Sequence, residues 1–402
     1  MKHTLLSVLL AFVMLLSLAS CGGNAPVETL PETKSGTKAE TVAETKSETV
    51  AETVIETEPE TKAPETKAPE TVFDAADQSF LEGKSYQLTD GGPYYFGRWF
   101  EDEINGVSHH ITLTNGSACY FLIDGASSFT VDFTAIHTLD APVFAYRIDG
   151  GEPLHRRISD PTVELPDKNR HIVTVIIDSI NVYENKWEDE CGVAVKDIVP
   201  SDGGRIVGVK PTSKVIFFYG DSITEGLYAI STVNGASGSS ATGAYPYFCA
   251  EKLNAVPYYV GYSGSGVICS GTFTTFPKTV DQLSQNRPIS DADKPDMIVI
   301  NHGTNDWTGT QRVFTASLKN AVKRLIELYP DTPIVYMIPF CQNRAESIRA
   351  LAEEYENILI VETDGWRIEY TDTVHPTVKG AETAGGLLAD AIHEHFGEDF
   401  FK

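Results

Sequence analysis

The sequence predicts two folded domains, an all-β sandwich of jelly-roll type followed by an α/β domain on a five-stranded parallel sheet. Three observations predict this. Segments such as Ser128–Phe133 and Val143–Ile148 alternate with period two and carry no helical stripe. After Pro211 the texture changes to short, wholly apolar runs, the mark of strands buried on both faces. The later runs are separated by segments whose apolar residues recur at helical spacing.

The chain of 402 residues begins with Lys2, an apolar run from Leu5 to Leu16, and Leu18–Ala19–Ser20–Cys21. A run this short, in this order, predicts a secretory signal over 1–20 rather than a membrane span. Leu-Ala-Ser-Cys resembles the bacterial lipobox, which implies cleavage before Cys21, acylation of that cysteine and anchoring to the outside of a bacterial membrane. Acyl chains bury about 0.8 kcal/mol per CH₂, so a multiply acylated Cys21 is a firm anchor. Residues 21–72 complete the address. Glu-Thr pairs recur every four residues from Glu40 to Glu60, and no aromatic residue stands between Phe12 and Phe73. A four-residue period leaves no apolar stripe worth burying, so this stretch reads as a disordered tether.

Residues 73–210 form the predicted sandwich, of eight to ten short strands. Asn115-Gly116, Asp149–Gly150–Gly151 and Asp202–Gly203–Gly204 supply its turns, and Ile172–Ile177 is a β-branched run. Cys119 and Cys191 fall here and are able to pair, although buried free thiols are the default reading. The adjacent His109 and His110 make a poor ligand pair, because neighbours on a strand point to opposite faces.

Residues 211–402 form the predicted α/β domain. Its strands are Val215–Tyr219, Tyr258–Val260, Met297–Ile300, Ile334–Ile338 and Ile358–Val361. Its helical stripes pass through Leu318–Ile326, Ser347–Glu356 and Ala381–Ile392. In such sheets ligands bind outside the carboxyl ends of the strands.

Four segments lie there. The first strand ends in Gly220–Asp221–Ser222, which places a Ser near a helix start, where capping is the plainest role. The second runs into Ser263–Gly264–Ser265–Gly266, whose glycines let backbone N–H groups face a developing anion. The third ends in Asn301–His302–Gly303–Thr304–Asn305–Asp306–Trp307, where Asn305 offers a side-chain donor and Asp306 a carboxylate to cap or hold the loop. Asp372–Thr373–Val374–His375 precedes the last helix, at a spacing that lets the carboxylate fix the imidazole tautomer.

Each motif is weak alone. In this order they resemble the SGNH (GDSL-type) hydrolase superfamily, over about Thr212–Lys402. The sandwich directly before them makes the chain similar to carbohydrate esterase family 2, whose members are acetyl esterases acting on plant-polysaccharide sugars. The resemblance implies a flavodoxin-like hydrolase domain and a serine esterase working through an acyl-enzyme. In that reading Ser222 is nucleophile, His375 base and Asp372 its partner. The oxyanion hole comprises the Ser222 and Gly264 N–H groups and Asn305, with Gly266 the alternative to Gly264. Trp307, and His302 in place of the usual apolar residue, are the candidate substrate contacts, with core packing the alternative for Trp307 and a structural role behind the site the alternative for His302. Trp366 reads as core. No metal or organic cofactor is needed.

The net charge is −25. The tether contributes −6 and residues 73–402 the larger part, −20. A surface this acidic repels phosphate backbones, which disfavours a nucleic-acid partner, and it favours a neutral or weakly charged polymer as substrate. Among the substrates the resemblance implies, acetylated xylan or mannan is the first expectation. A lipid or thioester hydrolase on the same fold, or an inactive carbohydrate-binding lipoprotein, is the alternative.

Overall fold

The computed structural model describes residues 75–271, 274–289 and 293–402. The predicted signal, Cys21 and the tether lie outside the described residues. A short helix, Ala75–Leu81, opens the described chain. Its Asp77 is fully buried and accepts hydrogen bonds from Arg170 and Arg205, which pins the helix to the sandwich.

Two antiparallel sheets follow. One runs in the order Tyr86–Leu88, Arg205–Pro211, Ala118–Asp124, His171–Ser179, Val143–Ile148, Leu154–Arg157, with Tyr94–Phe96 also paired to Ala118–Asp124. The other runs Trp99–Ile104, Val107–Thr112, Gly192–Pro200, Ser128–Ile136, Thr162–Glu164. The sandwich thus has twelve strands where the turn signals suggest eight to ten. The additional pieces are three- and four-residue edge strands, too short to show a period.

Residues 211–402 form a five-stranded parallel sheet in the order Val256–Gly261, Val215–Gly220, Met297–Asn301, Ile334–Met337, Ile358–Val361. Helices Tyr245–Leu253 and Val378–Phe396 pack with one face of this sheet, and Gln311–Leu328 and Ala345–Glu354 with the other. Counted along the chain, the order is 2-1-3-4-5, so the sheet changes winding direction beside its first strand, where a crevice opens. A small hairpin, Gln282–Ser284 with Arg287–Pro288, adds an antiparallel element that the apolar runs do not announce.

The two domains share buried surface. Strand His171–Ser179 is buried along its whole length. Val173, Val175 and Ile177 point into the sandwich core, while Ile172 and Ile176 join a core that includes Phe217, Tyr258 and Val260 of the α/β domain. Ala118–Asp124 divides in the same way: Cys119, Phe121 and Ile123 face inward, Ala118, Tyr120 and Leu122 face the neighbour. This is why those strands carry apolar residues on both faces, as parallel strands do. The Asn115-Gly116 turn is pressed on the α/β domain, since a Cβ at Gly116 would overlap the Tyr259 ring. Cys119 and Cys191 are unpaired.

Candidate active site

Strand Val215–Gly220 ends at Asp221, whose side chain accepts the Ile223 N–H at 2.9 Å and caps the single helical turn Ser222–Glu225. Asp221, not Ser222, is therefore the cap. Ser222 is left at the first helical position, with its Oγ turned to the crevice, 2.8 Å from His375 Nε2. The other imidazole nitrogen, Nδ1, lies 2.8 Å from Asp372 Oδ2. A proton on Nδ1 donates to that carboxylate, and Nε2 is left to accept from the serine hydroxyl.

Asp372 is itself held. Its Oδ1 accepts the N–H groups of Val374 and His375, each at 2.7 Å, so the four-residue segment closes on itself. Burial pushes this carboxyl up, but the His375 N–H, the imidazole and the Val374 N–H outweigh it and hold the group below its ordinary value. The segment is tied down by pairing of Tyr370 with Pro376, and Thr377 then caps the last helix by accepting from the Gly380 N–H at 3.0 Å. Tyr228 places its ring edge-on to His375, 5.5 Å between centroids, from a left-handed backbone at φ 56°.

The oxyanion side is built from two loops. The N–H groups of Ser222 and Gly264 have no hydrogen-bond partner among the described residues, whereas the Gly266 N–H donates to the Cys269 carbonyl at 2.8 Å. That distinguishes the two glycines: Gly264 offers a free donor, and Gly266 serves packing. A Cβ at Gly266 would meet the Asp306 carboxylate at 2.6 to 2.8 Å. Asp306 is fully buried and gathers the N–H groups of Val267, Ile268 and Cys269, so it holds the loop downstream of Gly264. Asn305 Nδ2 donates to Asp221 Oδ2 at 3.1 Å and to the Ser265 carbonyl at 2.9 Å. Both of its amide protons are engaged in this state, so Asn305 reaches an oxyanion only by sharing or releasing one.

Burial pushes the Asp221 carboxyl up to about 7, while the Ile223 N–H and the Thr304 hydroxyl pull it back. Its net shift shows that burial wins.

The two candidate substrate contacts differ. Trp307 follows Asp306 on the crevice loop and is 65 % exposed. His302 is fully buried, its ring stacked 4.6 Å from Phe276, and so is out of reach of any substrate. Burial drives its pKa down to about 3, which keeps the ring neutral. Of its two readings, contact with substrate is thus corrected and the structural one stands, because directly after the third strand the ring turns into the core beside Phe276. Trp366 packs against the core beside Phe340, as expected.

Three contributors escape sequence reasoning. Tyr228 stands six residues past Ser222 with no motif to mark it. Glu225 and Lys186 form a fully buried ion pair, with Lys186 coming from the other domain. Only docking of the domains brings them together, so no spacing records it. Among the described residues, no group of three or more His, Cys, Asp or Glu side chains is arranged to hold a metal ion.

Residues 218–393 match the model of the GDSL-like Lipase/Acylhydrolase family. No curated protein matches the chain in sequence. Among solved structures, a family two carbohydrate esterase from Cellvibrio japonicus superposes with a TM-score of 0.64 at 18 % identity, covering 79 % of this chain and 99 % of that one. A family two carbohydrate esterase from Clostridium thermocellum, solved in complex with cellohexaose, gives 0.63 at 19 %, covering 76 % and 100 %. An acetyl xylan esterase from the rumen bacterium Butyrivibrio proteoclasticus gives 0.61 at 16 %, covering 79 % and 99 %. The chain therefore carries a hydrolase domain of the SGNH (GDSL) type and shares, across both domains, the fold of family two carbohydrate esterases.

Proposed function

We propose that this protein is a serine esterase that removes O-acetyl groups from plant polysaccharides, xylan or mannan first among them. The observation that carries the reading is the continuous relay from Ser222 Oγ through His375 to Asp372, at 2.8 Å for each link. In it, Ser222 Oγ attacks the ester carbonyl carbon as its proton passes to His375 Nε2, and Asp372 stabilises the resulting imidazolium. The carbonyl oxygen takes up negative charge and meets the free N–H groups of Ser222 and Gly264, joined by Asn305. His375 returns the proton to the departing sugar oxygen. Water then attacks the acyl-enzyme, giving a proton to His375, which passes it to Ser222 Oγ as the bond from Oγ to the acyl carbon breaks, and acetate leaves with Ser222 restored.

The substrate class rests on the shared fold, on the acidic folded surface and on Trp307, whose exposed ring offers a platform for the apolar face of a sugar. Secretion and a lipid anchor at Cys21 rest on the lipobox-like segment alone. Replacing Cys21 by Ala is expected to move the protein from the membrane to the soluble fraction; an unchanged distribution would remove the anchor from the reading.

The deciding experiment compares turnover of 4-nitrophenyl acetate by the protein and by Ser222→Ala. A loss of several orders of magnitude is expected, and equal rates would sink the esterase reading. Comparing acetate with octanoate esters separates a glycan deacetylase from a lipid hydrolase. Acetate release across acetylated xylan and mannan then identifies the polymer.

A further inference from the structure

The buried pair Lys186–Glu225 has no part in the proton relay, yet it ends beside it. Lys186 lies in the sandwich, in the connection between strands His171–Ser179 and Gly192–Pro200. Its side chain is 3 % exposed and that of Glu225 1 % exposed. Lys186 Nζ donates to Glu225 Oε1 and approaches Asn115 Oδ1 at 3.5 Å, while Asn115 Nδ2 donates to the Glu225 carbonyl at 3.3 Å. The second carboxylate oxygen, Glu225 Oε2, accepts the Ser263 hydroxyl at 2.7 Å. Ser263 immediately precedes Gly264. Next to it Tyr262 is fixed as well, with its ring edge-on to Trp187 of the sandwich at 5.8 Å and its hydroxyl on the Leu283 carbonyl.

We propose that Lys186 is a positioning residue for the oxyanion-binding loop, acting through Glu225 and Ser263. The inference rests on the esterase reading above. Gly264 is held from both sides: downstream by the Asp306 carboxylate on Val267, Ile268 and Cys269, upstream by Ser263 on Glu225. A buried carboxylate keeps its place only while its charge is met. Without the ammonium, Glu225 takes up a proton or turns toward water, and the acceptor for Ser263 moves with it. An oxyanion donor displaced by a fraction of an ångström is weakened most in the transition state, when charge has developed, so the loss belongs in kcat rather than KM. The sandwich thereby contributes to chemistry from a residue that never touches substrate.

Ser263→Ala cuts the chain without disturbing either charge and is the variant that keeps the fold. With 4-nitrophenyl acetate we expect kcat about tenfold lower, KM within about twofold, an unchanged acid limb of the pH profile and an unchanged melting temperature. Deuterium uptake over residues 261–266 should rise while that around His375 stays constant. Lys186→Met should show the same fall in kcat and the same rise in uptake, with a lower melting temperature because Glu225 is left buried without its cation, and the double variant should be no slower than the slower single one, because both act on one chain of contacts. Wild-type kcat together with wild-type uptake in folded Ser263→Ala would overturn the proposal, as would multiplicative losses in the double variant. If the wild-type protein proves inactive on esters, the esterase reading fails by that result alone. The uptake measurement then decides whether Lys186 orders the loop.

Discussion

Asp372 fixes which imidazole nitrogen carries the proton, and the consequence can be measured. In Asp372→Asn the side-chain amide is able to turn its N–H toward Nδ1, which favours the tautomer protonated on Nε2 and removes the acceptor for the serine proton. A fall in kcat on the order of 10³–10⁴ is expected with little change in melting temperature. Near-normal kcat would show that backbone groups suffice to orient His375. Asp221 supports a second prediction. Its pKa rises from the ordinary 3.8 to about 7 on folding, so between these values the folded chain binds more protons than the unfolded chain. Its contribution to stability is therefore present at acid pH and lost as pH rises through about 7. The melting temperature of the wild type, relative to Asp221→Asn, should decline between pH 4 and 8; parallel curves would refute the assignment. That Ser222, His375, Asp372 and Asn305 gather at one crevice was legible in the sequence because each belongs to a short segment just past a strand or just before the last helix. His302 carried two readings because sequence gives residue type but not depth. Lys186 was invisible because its partner lies in another domain.

At the level of elements, the loop from Ser263 to Cys269 contains no helix or strand and depends on side chains for its shape. Asp306 supplies three of its hydrogen bonds, and the close approach requires glycine at 266. Asp306→Ala leaves three N–H donors without their acceptor, and a loss of about 3 kcal/mol in urea unfolding is expected. Because the same bonds hold the loop that carries Gly264, its proposed oxyanion role predicts a fall in kcat on the order of 10²-fold. Destabilisation with kcat intact would confine Asp306 to a structural role. The five parallel strands were readable as apolar runs because both of their faces are buried. The helix Ala75–Leu81 and the hairpin Gln282–Ser284/Arg287–Pro288 were not: each is too short for a period and is held by contacts distant in sequence, such as Asp77 with Arg205 and Glu190 with Arg287.

At the level of the molecule, the sandwich and the hydrolase domain each keep a core of their own and share a third. One continuous core takes Phe96, Tyr120, Ile172, Ile176 and Val209 from the first and Phe217, Tyr258, Val260 and Ile300 from the second. Phe96 meets Tyr258 at 5.7 Å between ring centroids. If the hydrolase domain unfolded first, the outward faces of Ala118–Asp124 and His171–Ser179 would be left in water, at roughly 25 cal/mol per Å² of apolar surface exposed. A partly unfolded state therefore carries a penalty that a chain of two separate cores would not. Heating is expected to give a single transition, with near-ultraviolet circular dichroism and loss of esterase activity following the same curve. The Asn115-Gly116 turn provides a test at the seam itself. Gly116→Ala sets a methyl against the Tyr259 ring at a backbone φ of 84°. It should lower that single transition by several degrees without splitting it. Two resolved heat-absorption peaks, with activity lost in only one of them, would show instead that the shared core is a contact between finished domains, and that the sandwich can open without taking the active site with it.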